Sequence, residues 1–205
     1  MQGYIINVNK VNDEDIIVSI LTENNFYTTY RFYGARHSII NIGYKIDFEL
    51  ESTMKSGIPR LKDVLQINFP WIENRDKLYC WQRFIKLFFP HLKDVEDIEP
   101  FYFELLNKLS HKIIKQNPKR AIIESYIDIC KFEGRLHTQY ECLLCEEKII
   151  KDISLVRSFL PVHSKCAYAK KLDLIQVKDL FEENSLISFN NEEVEYLWKL
   201  LLQGL

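Results

Sequence analysis

Three cysteines and one histidine are packed into the stretch ECLLCEEKIIKDISLVRSFLPVHSKCA, residues 141–167. Cys142 and Cys145 form a CxxC pair, and after seventeen intervening residues His163 and Cys166 form an HxxC pair. Two close ligand pairs on two turns are how structural zinc sites commonly collect four soft or borderline donors. Three thiolates and a neutral imidazole around Zn²⁺ carry a charge of about −1, which Lys148 and Lys165 could partly offset. With four protein donors no coordination position stays open, so the metal would staple the segment and not activate water. The run KIIKDISLVRSF supplies strand-forming residues for a small ribbon but too few for a core, so metal binding would supply its folding free energy. Two other readings stay open: a metal-free ribbon with the sulfurs as packing groups, or a redox pair, for which no thioredoxin-like strand and helix flank the CxxC. Glu146 stands directly after the pair, where a small residue or glycine would more easily let the backbone amides turn toward the sulfurs. Cys80 and Cys130 fall on the apolar sides of helical patterns and read as core.

Little else in the chain looks catalytic. There is no GxGxxG, P-loop, HExxH or GxSxG motif. None of His37, His91, His111, His137 and His163 stands in a local pattern with a serine or cysteine. The expectation is a protein without enzymatic chemistry of its own. Binding is better supported, although 27 Lys and Arg against 29 Asp and Glu leave a net charge of −2 and little overall steering toward polyanions. Any nucleic-acid surface must come from local segregation.

Such segregation is present. Between residues 25 and 62, Arg31, Arg36, Lys45, Lys55, Arg60 and Lys62, with His37, face only Asp47, Glu49 and Glu51. The preceding residues set Lys10 against Asp13, Glu14, Asp15 and Glu23. Tyr27, Tyr30, Phe32 and Tyr33 interleave with the cations and offer stacking surfaces for unpaired bases, unless the period of two turns half of them into the core. A second run, LNKLSHKIIKQNPKRAII, carries Lys108, Lys112, Lys115, Lys119 and Arg120 with no acid. On a helix positions 108, 112 and 115 share a face, which reads equally as a phosphate track or as a solvated ridge. Recognition of backbone and shape, not of base order, is expected.

These residues need elements to hold them. GYIINVNKV, DIIVSILT, FYTTYRFYG, YKIDFELES and RLKDVLQIN are short, β-branched or aromatic, and partly alternating, with NDED, ENN, GARHS and MKSGIP at the breaks. Five strands with no helix between them imply an antiparallel sheet closed into a small barrel, or a curled two-sheet arrangement. From residue 76 the apolar period changes to three or four: 76–89, 101–116, 119–133 and EEVEYLWKLLLQ read as amphipathic helices. Pro100 suits a first turn, and Asn117 with Pro118 suits a stop and restart. The expected class is α+β, with a barrel domain at 1–68 and a helical domain at 69–205 that carries the CxxC/HxxC insert at 139–168. With 47% hydrophobic residues and six each of Gly and Pro, the chain is long enough and apolar enough for ordered cores. The start MQGYIINVNKVNDEDI lacks a leader-like apolar run, and no segment approaches the ~18 apolar residues of a membrane span. A cytoplasmic location is expected, where cysteines stay reduced and available to metal.

The N-terminal run GYIINVNKVNDEDIIVSILTENNFYTTYRFYGARHS resembles the start of the bacterial recombination and repair family RecO. That family opens with a Gly-x-Val/Ile strand, an acidic turn, a strand ending in Leu-Thr and a GxR turn, here Gly34-Ala35-Arg36. A cysteine-bearing insert within a helical domain also fits. The resemblance implies an OB-fold barrel followed by a helical domain with a zinc-ribbon-like insert. It also implies DNA binding, single- and double-stranded, and annealing of complementary strands, in a nucleoid-associated setting. The implied partners are RecR, sometimes RecF, and the single-stranded-DNA-binding protein, with RecA loading as the outcome. The family's basic barrel surface maps onto Arg31, Arg36, Lys45 and Arg60, of which only Arg36 is placed by motif, with Lys112 and Lys115 extending the track. Its zinc ligands map onto Cys142, Cys145 and Cys166, and His163 departs from the all-cysteine form. A protein-interaction scaffold and an RNA-associated barrel protein are the alternatives.

Overall fold

The computed structural model describes residues 1–11, 14–36, 39–52 and 57–205. Lys55, His37 and Asp13 lie outside the described residues. The chain divides into two compact units, Met1–Lys115 and Gln116–Leu205.

The first unit is built on β1 (Gln2–Lys10), β2 (Ile16–Leu21), β3 (Phe26–Arg31), β4 (Lys45–Glu51) and β5 (Arg60–Ile67). The strands close into a barrel in the order β1-β2-β3-β5-β4, an OB-fold-like arrangement, so of the two β architectures the closed one is adopted. All contacts are antiparallel except β3 with β5, which run parallel at Tyr30 and Arg60. Alternation does the sorting: on β4, Ile46 and Phe48 are buried while Asp47 and Glu49 between them face water. Ile5, Ile16, Val18, Ile20, Ile46 and Phe48 fill the interior. Closing five strands needs sharp coiling, and β1 and β4 supply it at register shifts between Ile5 and Asn7 and between Asp47 and Glu49.

Two helices complete this unit. α1 (Arg75–Leu92) is capped by Asn74, which accepts from the Lys77 amide, and buries Trp81, Phe84, Ile85 and Phe88 along one side. It runs one turn past the expected stop at residue 89: Pro90 lies in the last turn, and the Lys93 amide still reaches the Phe89 carbonyl at 3.0 Å. α2 (Pro100–Lys115) starts on its proline, as its fixed φ favours. Trp81 ties α1 to the barrel by donating Nε1–H to the Gly43 carbonyl at 2.7 Å, and Gln82 Nε2 donates to Ile42 at 3.0 Å. Gly43 has φ +86°, and a Cβ there would meet the Trp81 ring at 2.8 Å, so only glycine permits this approach.

The second unit opens with α3 (Pro118–Phe132), capped by Asn117 and buried over much of its surface from Ala121 to Cys130. A small sheet, β6 (Asp152–Leu155), β7 (Pro161–Val162) and β8 (Leu172–Asp173), has the order β7-β6-β8. The short α4 (Ser164–Ala167) follows β7, and α5 (Leu174–Glu183) follows β8. Periodicity does not assign α5, although Asp173 caps it and Leu174, Val177, Leu180 and Phe181 form its buried side. α6 (Asn191–Leu201) begins with a capping box between Asn190 and Glu193 and buries Val194, Leu197, Trp198 and Leu201. Among the described residues no helix is long and apolar enough to cross a membrane.

Candidate nucleic-acid face and metal centre

The residues of the CxxC/HxxC insert converge. The ligand atoms of Cys142, Cys145, His163 and Cys166 all lie within 4.8 Å of one another. The first pair sits on a tight hairpin: the Cys142 amide donates to Glu147 O at 2.9 Å, the Glu146 amide to Cys142 O at 2.8 Å, and the Ile149 amide to Tyr140 O at 2.8 Å. Glu146 adopts φ +62°, the left-handed backbone that glycine would supply without strain. The second pair comes from the end of β7 and from α4. The Leu143 amide donates to Pro161 O at 3.0 Å, which locks the two ligand-bearing segments together.

The spacing suits zinc. A tetrahedral ion with Zn–S bonds of ~2.3 Å and a Zn–N bond of ~2.0 Å has S–S edges of ~3.8 Å and S–N edges of ~3.5 Å. Cys145 Sγ and Cys166 Sγ are 3.9 Å apart, and His163 Nδ1 lies 3.3 Å from Cys145 Sγ and 3.9 Å from Cys166 Sγ. The electrostatics agree. Burial pushes the Cys142 thiol up, but backbone N–H groups of His163, Leu144 and Cys145 and the Cys145 side chain outweigh it and hold the thiol down at about 6. Desolvation, hydrogen bonds to Cys145 and Cys142, and the charge of those two sulfurs push Cys166 up to about 11. The Cys142 thiolate is thus prepared by the backbone, and a cation is what would let Cys166 join it. Cys80 and Cys130 are buried far from this cluster in sequence and act as core residues.

A different chemistry gathers at one end of the barrel. Val11, from the β1–β2 loop, and Ile58, from the β4–β5 loop, join Ile17, Tyr30, Phe32 and Arg60 around a pocket of about 380 Å³. The Arg60 guanidinium lies over the Phe32 ring at 4.8 Å, and Tyr30 meets Phe32 edge-on at 4.9 Å. Phe32 is 44% exposed and Tyr33 60%. Tyr33 is covered in part by Arg36, whose carbon lies 5.6 Å from the ring centroid. Asp15 organises the loop by accepting from Tyr30 Oη at 2.5 Å and from the Tyr33 amide at 2.9 Å. The pocket therefore lies on the β2–β3 side, between the two loops with which OB-folds hold oligonucleotides.

Residues 1–72 match the family described as RecO N terminal. That covers the whole barrel and ends before α1, so the helices and the Cys/His cluster rest on their own geometry. No curated protein matches the chain.

The six cations expected to bind DNA divide into two groups. Arg31, Arg36 and Arg60 lie at the loop end. Arg31 Nη1 donates to Leu61 O at 2.7 Å while its Nε is buried without a partner, Arg36 pairs with Glu14, and Arg60 stands 3.9 Å from Glu51. Lys45 begins β4 and pairs in register with Ile67, whereas Glu51 and Arg60 pair at its far end. Lys45 Nζ donates to Asn107 of α2 at 2.9 Å and sits over the Phe103 ring at 5.3 Å; burial lowers its pKa. It therefore lies against α2 at Asn107, while Lys112 and the exposed Lys115 stand in the last turn of that helix. The adjoining basic residues do structural work in the second unit: Lys119 pairs with Glu195, and Arg120 donates to the carbonyls of Leu186 at 2.6 Å and Phe189 at 2.8 Å. Reasoning from charge runs missed the apolar half of the pocket, Val11, Ile17 and Ile58. The available signal was an isolated apolar residue in each of two polar loops.

Proposed function

We propose that the chain is a non-enzymatic DNA-binding mediator that holds single strands on its barrel, also binds duplex DNA, and promotes annealing of complementary strands in recombinational repair. The observation that carries this reading is the pocket between the two barrel loops, lined by the exposed Phe32 ring with the Arg60 cation over it and Tyr30 edge-on to it. The family match over the barrel supports it. Annealing makes no covalent bond: cations neutralise two backbones and raise local strand concentration, and base pairing supplies the free energy.

In this reading residues 1–68 are the nucleic-acid-binding domain and 69–205 the helical domain, with 139–168 as its metal-stapled insert. Cys142, Cys145, His163 and Cys166 would hold zinc, whose contribution is to cross-link a ribbon too small to fold on its own core. Arg31, Arg36 and Arg60 contact the strand at the loop end, while Lys45 on β4 and Lys112 and Lys115 on α2 extend the track away from it. The partnership with RecR and the single-stranded-DNA-binding protein, the loading of RecA, and a cytoplasmic, nucleoid-associated location follow from the family resemblance.

The test is fluorescence anisotropy with a labelled single-stranded DNA at about 50 and 200 mM salt, beside an RNA of the same sequence, then addition of the complementary strand. Salt-sensitive DNA binding, weakened about tenfold by Phe32→Ala, with faster annealing is the expected result. A preference for RNA would support the RNA-associated alternative, and no binding at either salt would leave a protein-interaction scaffold.

A further inference from the structure

We propose that the solvent face of α1 is a second single-strand contact, a phosphate track made by Arg75, Arg83 and Lys86 with Tyr79 as its stacking ring. This rests on the DNA-binding reading and extends it beyond the barrel. The four side chains lie at helical spacings of four, four and three, so they share one face, and all four are exposed. Tyr79 is 57% exposed, and the Arg83 guanidinium carbon lies 5.9 Å from its ring centroid. None of the three cations forms an ion pair among the described residues, and Asp76, at the edge of the face, is the helix's one acid. From Arg75 to Lys86 the track runs ~16 Å along the helix axis, room for several phosphates.

Two features distinguish this face from an ordinary solvated one. Arg75 occupies the first helical position, where the helix dipole disfavours a cation and favours an acid. A large aromatic is also left half in water between cations, although the opposite side of the helix buries Trp81, Phe84 and Phe88 completely. The orientation of the face is set by Trp81 and Gln82, whose hydrogen bonds to Gly43 and Ile42 hold α1 against the barrel in the same compact unit. Lys77, by contrast, is used internally, donating to Ile114 O at 3.1 Å.

The experiment compares the full chain with the triple variant Arg75→Gln, Arg83→Gln, Lys86→Gln and with Tyr79→Leu, using one labelled single-stranded DNA across a salt series. Each lost phosphate contact removes ~0.7 from the log–log salt slope for single strands, so the triple variant should lose about 2 and bind on the order of 10- to 100-fold more weakly near 0.1 M salt. Tyr79→Leu should weaken binding about tenfold and leave the slope unchanged. Unaltered melting curves would show that the exposed substitutions spare the fold. If wild type binds and the triple variant keeps its slope and affinity, the α1 track is wrong while the barrel reading stands. If wild type binds no DNA, both fall. A triple variant that keeps DNA binding but loses a polyglutamate peptide would assign the face to acidic protein segments and overturn the proposal.

Discussion

Glu146 follows the second cysteine of the CxxC with φ +62°, and a left-handed backbone costs a residue with a Cβ roughly 1–2 kcal/mol. Glu146→Gly should therefore stabilise the insert by about 1 kcal/mol, seen as a higher melting temperature of the metal-loaded protein. An unchanged or lower melting point would mean that the Glu146 side chain contributes something the backbone argument leaves out. The Cys/His cluster was readable from sequence because each pair is local: two donors three residues apart on one turn need no knowledge of the fold. The cations were not readable in this way. Arg36 meets Glu14 only once β2 and β3 have paired, and Arg31 meets the Leu61 carbonyl only once β3 and β5 have come together in the barrel.

Between elements, single contacts hold the architecture. A Cβ at position 43 would press on the Trp81 ring from a backbone conformation that suits glycine alone. Gly43→Ala should cost more than about 1 kcal/mol and disturb the α1 anchor, to be read by chemical denaturation together with tryptophan fluorescence. Native-like emission and stability would show that the loop can yield. In the second unit the Arg120 guanidinium bridges α3 to the carbonyls of Leu186 and Phe189 ahead of α6. Arg120→Gln should lower stability by about 1–3 kcal/mol while leaving the salt slope of DNA binding untouched. A reduced slope with normal stability would return this arginine to the phosphate track suggested by its basic run. The missed helix α5 has a similar lesson. In LDLIQVKDLF the apolar Leu172 and the exposed Ile175 blur the period, while Leu174, Val177, Leu180 and Phe181 repeat like a helix, and burial of these four selects the helix.

For the whole molecule, the two compact units lead to a prediction about metal removal. Stripping metal with a chelator should collapse hydrogen-exchange protection across residues 139–168 and leave the amides of the barrel strands β1 to β5 protected. Equal loss in both regions, or an insert whose protection ignores the chelator, would count against the staple. By itself the sequence determined the local things: which segments alternate with a period of two or of three to four, where helices are capped, and which residue pairs can offer thiolate and imidazole donors on a turn. The tertiary structure decided everything that requires distant residues to meet. It closed five strands in the order β1-β2-β3-β5-β4 and brought two loops together around Phe32 and Arg60. It separated Lys45 from Arg60 by the length of β4, and it spent Lys119 and Arg120 on internal partners. The physical reason is the range of the interactions: backbone preference and amphipathic period act within a few residues, whereas a hydrogen bond or ion pair is worth something only where packing has already set its partner in place.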